Sequence, residues 1–134
     1  MPPRKYHLEF DDRLRGNDII CEDTDGNTVH ARLDRNSKHL GDMHREIDYW
    51  HSPEGIRDMI DNIVNSIGNI YPGTATDYVR IAYGHLCLDN MASKLKRKDN
   101  CEYKDLDWRE IYNRTYHLFR RKGYHKTYYR ARYD

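Results

Sequence analysis

Apolar and polar side chains alternate near the beginning of the chain. In residues 5–10, Tyr6, Leu8 and Phe10 fall on one face of an extended segment and polar residues fall on the other. A period of two is typical of a strand with one buried face. The pattern therefore predicts a first strand here.

Two further strands are predicted before residue 35. Residues 18–23 contain a short apolar run, and residues 28–34 alternate again. Between them lies Asp25-Gly26, a pair that favours a tight hairpin because both positions tolerate positive φ. We therefore expect a three-stranded antiparallel meander in residues 1–35. The face of this sheet expected to contact water carries His7, Glu9, Thr28, His30 and Arg32.

After residue 35 the apolar spacing changes to three and four residues, which predicts helices. We expect about four, beginning after Asn36-Ser37, at Ser52-Pro53, at Thr76 and at Asp107. Asp107 and Glu110 form a capping-box pair, and Arg120 to Gly123 give the basic residues and the glycine that end such a helix. The third helix has the broadest apolar face, so we expect it at the centre.

Together these elements predict an α+β fold in which the helices pack on one face of the sheet. The 134 residues fit one domain, with the meander in 1–35, a helical part in 36–123 and a basic, tyrosine-rich tail in 124–134.

Composition excludes several classes of protein. No apolar run approaches the roughly 18 residues of a membrane helix, and no apolar segment behind Met1-Pro2-Pro3-Arg4-Lys5 resembles a signal peptide. The three cysteines have no paired spacing, which favours reduced thiols and a cytoplasmic location. No phosphate-binding loop, dinucleotide fingerprint or zinc-finger spacing occurs, so no cofactor is expected, and the balance favours a protein that is not an enzyme.

Charge is distributed unevenly along the chain. Residues 1–75 have a net charge of −5 and residues 76–134 a net charge of +6. Tyrosine is abundant, with 12 residues against two Phe and two Trp. The segment from Arg114 to Asp134 contains seven basic residues, with five tyrosines interspersed among them, and a single acidic residue. Cations neutralise phosphates and aromatic rings stack on bases.

We therefore expect a binding protein that contacts DNA or RNA through its C-terminal part. The cations expected to meet phosphates are Lys94, Lys96, Arg97, Arg120, Arg121, Lys126, Arg130 and Arg132. The rings expected to stack on bases are Tyr124, Tyr128 and Tyr129. Antiparallel packing of the third and fourth helices would separate the 94–98 cluster from the 120–122 cluster.

A second interpretation is a protein–protein adaptor or inhibitor, such as an accessory factor of a virus or mobile element, or a chain that self-associates through its oppositely charged halves. A third is a metal-dependent enzyme. His44, Asp48 and His51 share one face of a predicted helix, with His39 nearby, and His and carboxylate ligands suit zinc, manganese or iron. An ordinary helix surface explains the same residues, so no metal is assigned.

His85 lies on the apolar stripe of the predicted third helix. A single histidine in that position is most simply a core residue with one hydrogen-bond partner. A catalytic or sensing role is the competing interpretation.

Overall fold

The computed structural model describes residues 2–27, 29–31, 58, 61 and 72–126. Three α-helices are bounded within these residues: α1 Arg4–Gly16, α2 Pro72–Asp99 and α3 Trp108–Arg121. Residues 27 and 29–31 are also helical, and single 3₁₀ turns span Tyr103–Asp105 and Tyr124–Lys126. No strand occurs in the described residues, so the predicted α+β class is wrong and this part of the protein is helical.

The first predicted strand is instead helix α1. Tyr6 and Phe10, which suggested a period of two, are also four residues apart, and Leu14 continues that spacing. All three are buried, together with His7 and Asp11 on the same side of the helix. The six residues used for the strand prediction were too few to distinguish the two periods, and Leu14 lay outside them.

The second predicted strand is the turn that ends α1. Asp18 has φ 58°, Ile19 N donates to Leu14 O at 3.0 Å, and Asp18 N donates to Arg15 O at 3.0 Å. This pattern is a Schellman cap, in which a left-handed residue satisfies the last carbonyls of a helix. Ile19 is buried because the cap folds it back beside Leu14, and not because it belongs to a sheet.

The predicted hairpin turn begins a helical segment instead. Asn27 N donates to the Asp25 side chain at 2.9 Å, and His30 N donates to Gly26 O at 3.1 Å. An aspartate side chain that bonds two residues ahead is as compatible with a helix start as with a hairpin. His7 and His30, expected on the wet face of a sheet, are buried at 2% and 0% exposure.

The later helices are closer to expectation. The Asp107 side chain accepts a hydrogen bond from Glu110 N at 3.3 Å, which confirms the predicted cap of α3. Helix α2 begins at Pro72, four residues before the predicted start at Thr76, because proline is tolerated in a first helical turn. The helix predicted after Asn36-Ser37 lies outside the described residues, and of the one predicted to begin at Ser52-Pro53 only Asp58 and Asp61 are described, both helical.

Helix α2 contacts both of the others. Its Gly84 lies against Phe10 of α1, where an added Cβ would approach Phe10 Cε2 to 3.1 Å. Its Tyr83 stacks on Tyr124, just beyond α3, with ring centroids 4.2 Å apart. Tyr6 of α1 stacks in turn on Trp108 of α3 at 3.8 Å. The core therefore lies between three helices, with α2 antiparallel to both α1 and α3.

Replacing Asp107 by alanine removes the cap of α3. We expect the free energy of unfolding to fall by about 1 kcal/mol, the usual cost of a lost N-cap. Urea denaturation followed by circular dichroism measures the change. Asp105→Ala, which removes the same charge from an exposed position, is the matched control and should change stability by less than half as much. Equal losses in both variants would contradict a capping role.

Candidate metal centre

Five ionisable side chains meet between α1, the helical residues 29–31 and α2. They form the histidine–aspartate cluster: His7, Asp11, His30, His85 and Asp89. The three histidines and Asp11 are no more than 2% exposed, and the Asp89 side chain is 13% exposed. Buried ionisable groups are rare unless they are paired or bind metals. This concentration is therefore the strongest functional signal in the described part of the chain.

Helical spacing explains how the cluster forms. His7 and Asp11 are one turn apart on α1, and His85 and Asp89 are one turn apart on α2, so each pair projects from a single face. The His7 and His85 rings stack with centroids 3.9 Å apart. The close approach of α1 to α2 at Gly84, the neighbour of His85, permits this stacking.

Asp11, His30 and His85 are joined by two aligned hydrogen bonds. His30 Nε2 lies 2.6 Å from Asp11 Oδ2, and His30 Nδ1 lies 3.0 Å from His85 Nδ1. With Asp11 as a carboxylate, the single proton of neutral His30 is on Nε2. The proton shared with His85 must then come from His85 Nδ1. A neutral His85 therefore has a lone pair on Nε2.

That lone pair lies near the carboxylate of Asp89. His85 Nε2 is 3.2 Å from Asp89 Oδ2, and His7 Nε2 is 2.9 Å from Asp89 Oδ1. Among the described residues, the two oxygens of Asp89 have no aligned hydrogen-bond partner. The two ring nitrogens of His7 have none either. Donor atoms that bind one ion at about 2.0–2.2 Å lie about 3 Å apart. The two distances at Asp89 suit either a hydrogen bond or two ligands of one ion, and the missing alignment favours the ion.

Burial and charge shift two of these groups. Burial lowers the pKa of His7 to about 3, although the contact with Asp89 opposes the shift. Burial alone would raise the pKa of Asp89, but its interactions with His85 and His7 outweigh that effect. The pKa of Asp89 is consequently well below its ordinary value. At neutral pH His7 is a neutral donor and Asp89 an anion, which are the forms that bind metals.

The loop between α1 and residue 27 is held in place beside the cluster. Asp77 Oδ2 accepts from Thr24 Oγ at 2.8 Å and from Cys21 N at 3.1 Å, and Arg80 Nη1 donates to Ile19 O at 2.6 Å. These bonds tie the loop to α2. They bring Gly26 and the helical turn with His30 over Asp11.

The sequence-predicted metal candidates are a different set. His39, His44, Asp48 and His51 lie outside the described residues. His85, interpreted from sequence as a core histidine with one partner, is buried as expected but belongs to a cluster of three histidines. One nitrogen from each of His7, His30 and His85 lies within 4.8 Å of the other two.

A sequence signal for the cluster exists. The pattern His-x-x-x-Asp, which places both side chains on one helical face, occurs at 7–11 and at 85–89, but also at 30–34 and 44–48. At 7–11 the pattern is ambiguous, because residues four apart share a face in a strand as well as in a helix. His30 begins the same pattern, at 30–34, but its hydrogen-bond partner is Asp11, which only the tertiary fold brings to it.

The predicted nucleic-acid residues occupy two separate regions, as expected from antiparallel packing. Lys96 Nζ lies over the Tyr103 ring at 4.5 Å, near the end of α2. Arg120 donates to the Tyr116 hydroxyl at 3.2 Å near the end of α3. Tyr124 is stacked on Tyr83, so one face of its ring contacts protein. The remaining described candidates are exposed: Lys94, Arg97, Arg121 and Lys126. Tyr128, Tyr129, Arg130 and Arg132 lie outside the described residues.

Comparisons with known proteins identify no relative: no family model, no curated protein and no solved structure matches the chain. Among the described residues, no helix has the length and apolar character needed to cross a membrane.

The lowered pKa of His7 predicts a pH dependence of stability in the metal-free protein. Between the ordinary pKa of 6.5 and the folded value of about 3, the unfolded chain binds a proton that the folded chain excludes. Stability should therefore be complete above pH 6.5 and decrease as the pH falls, by up to about 1.4 kcal/mol per unit.

Urea denaturation in the presence of a chelator measures this slope. His7→Gln, which cannot titrate, should flatten it, whereas substitution of the exposed His117 by glutamine should leave it unchanged. An identical slope in wild type and His7→Gln would contradict the assignment to His7.

Proposed function

We propose that this chain is a metalloprotein that binds a divalent transition-metal ion through His7, His85 and Asp89. One observation carries the proposal. Asp89 Oδ1 lies 2.9 Å from His7 Nε2, and Asp89 Oδ2 lies 3.2 Å from His85 Nε2, but neither contact is an aligned hydrogen bond. A cation that binds these atoms directly accounts for both the short distances and the missing alignment.

Charge supports the same conclusion. With neutral rings, the cluster contains the two carboxylates of Asp11 and Asp89 and no compensating cation. An uncompensated buried charge costs several kcal/mol. A divalent ion supplies the two positive charges that the cluster lacks. The competing solution is protonation of His85, which supplies one.

The donor set limits the kind of ion. Two imidazoles and one carboxylate suit zinc, iron, manganese or nickel, whereas calcium and magnesium prefer oxygen ligands throughout. An ion of this kind would supply Lewis-acid chemistry and an acidified bound water. The protein residues hold the ion and, through burial, restrict the access of solvent to it.

Metal binding gives a direct test. Purified protein, stripped with chelator and titrated with Zn²⁺ or Co²⁺, should bind one ion per chain in the centre. Binding should raise the unfolding free energy by about 2.7 kcal/mol when free metal is a hundredfold above Kd. Isothermal titration calorimetry and thermal unfolding measure the two quantities.

Matched variants locate the ion. His85→Gln and Asp89→Asn should each lose the tight site, whereas His117→Gln, a substitution of an exposed histidine on α3, should retain it. Unchanged binding in both cluster variants, or no binding by wild type, would refute the proposal.

Nucleic-acid contact through the basic C-terminal part is a second proposal, supported by a separate observation. Among the described residues, none of the predicted phosphate-binding cations forms an ion pair with a carboxylate. Arg121 and Lys126 are exposed, and their charges are available to phosphates. This surface and the metal centre are independent proposals.

The double substitution Arg121→Ala with Lys126→Ala tests the second proposal. Each lost phosphate contact should reduce the slope of log K against log salt by about 0.7–0.9, and hence by about 1.4–1.8 for the pair. Fluorescence anisotropy with labelled single-stranded and duplex DNA measures it. Lys104→Ala with Arg109→Ala removes two exposed cations elsewhere and should leave the slope unchanged. No binding by wild type at low ionic strength would end this proposal.

A further inference from the structure

Behind the proposed metal ligands lies a second layer of buried polar groups. Asp11 and His30 are 1% and 0% exposed. Their hydrogen bonds join them to each other and to His85, and not to Asp89. Their contacts run in one line, from the Asp11 carboxylate through both nitrogens of His30 to His85 Nδ1. Burial of a further carboxylate and imidazole is costly. A function for these two residues would explain why they are buried.

We propose that Asp11 and His30 are positioning residues that hold His85 in the tautomer whose Nε2 binds the metal ion, and that Gly26 keeps the Asp11 carboxylate in place. This inference rests on the metal centre proposed above. It assigns to three further residues an effect on metal affinity, without direct contact between them and the ion.

The line of hydrogen bonds fixes the tautomer. With Asp11 as a carboxylate, its Oδ2 accepts a hydrogen bond from His30 Nε2 at 2.6 Å, which leaves Nδ1 of a neutral His30 as an acceptor. His85 Nδ1, at 3.0 Å, must donate to it. The lone pair of His85 is then on Nε2, on the side of Asp89. A carboxylate behind a metal-binding histidine also increases the electron density of the ligand.

Gly26 makes the position of Asp11 possible. A Cβ on Gly26 would lie 2.5 Å from Asp11 Oδ2, the oxygen that faces His30, and 3.2 Å from Ile81 Cδ1. The backbone cannot easily retreat, because Gly26 O accepts from His30 N at 3.1 Å and Thr24 is bonded to Asp77. Any larger residue at position 26 would therefore displace the carboxylate from His30.

The tautomer can be measured before any metal is added. Long-range ¹H–¹⁵N NMR spectra of chelator-treated wild-type protein should show the proton of His85 on Nδ1. In Asp11→Asn and Gly26→Ala, the proton population should shift towards Nε2. Gly16→Ala, at a glycine whose added Cβ would meet nothing within 4 Å, is the matched control and should retain the wild-type spectrum.

Metal affinity is the second readout. Competition with a chelator for Zn²⁺ should show a 10- to 100-fold weaker Kd for Asp11→Asn and Gly26→Ala, the usual range for loss of a group behind a metal ligand. Gly16→Ala should bind as wild type does. The tautomer of His85 is measured in the wild-type protein, so the proposal remains testable even where a substitution prevents folding.

The outcomes separate the two proposals. Metal binding by wild type together with a His85 proton on Nε2, or with unchanged affinity in both Asp11→Asn and Gly26→Ala, overturns the positioning role and leaves the metal centre intact. A wild-type chain that binds no Zn²⁺ or Co²⁺ overturns both, whatever the tautomer. The Nδ1 tautomer together with weakened binding in the two variants supports both.

Discussion

The burial of two carboxylates among three imidazoles is the constraint on which this structure depends. Asp11 and Asp89 are held between α1 and α2 with His7, His30 and His85, where water contributes little to their solvation. One hydrogen bond, with His30 Nε2, involves Asp11 Oδ2, whereas Asp11 Oδ1 and both oxygens of Asp89 have no aligned partner among the described residues. Three neutral rings cannot supply a proton to every contact. A cation at Asp89 resolves this deficit, and the choice between a metal ion and a proton decides the function.

The surrounding fold brings the cluster together from distant parts of the sequence. Residues 7, 30 and 85 meet because a Schellman cap at Asp18 turns the chain back and because Asp77 and Arg80 hold the returning loop. Gly84 and Gly26 have no Cβ, and a Cβ at either position would lie too close to Phe10 or to Asp11, respectively. Small residues at these two points set the distance between helices and between the loop and the cluster.

How much the sequence predicts depends on how local the determining interaction is. The cap at Asp107 and the end of α3 near Gly123 were predicted because one or two turns of helix determine them. The N-terminal meander was predicted wrongly because six residues with apolar positions at 6, 8 and 10 fit either period. Leu14 and the buried His7 and Asp11 reveal the helix only when a longer window is considered. The pairing of His30 with Asp11 depends on a loop whose course has no local signal.

The composition of α1 indicates that the proposed metal centre would also have a role in the fold. The buried face of α1 consists of Tyr6, Phe10 and Leu14 together with a histidine and an aspartate, His7 and Asp11. A helix with such a face gains less from contact with α2 than an apolar one, because its polar groups must lose water. An ion that binds His7 on α1 together with His85 and Asp89 on α2 would offset this desolvation free energy only when the two helices are docked. Binding and helix docking are therefore coupled, and the same residues that hold the ion would join the N-terminal helix to the rest of the protein.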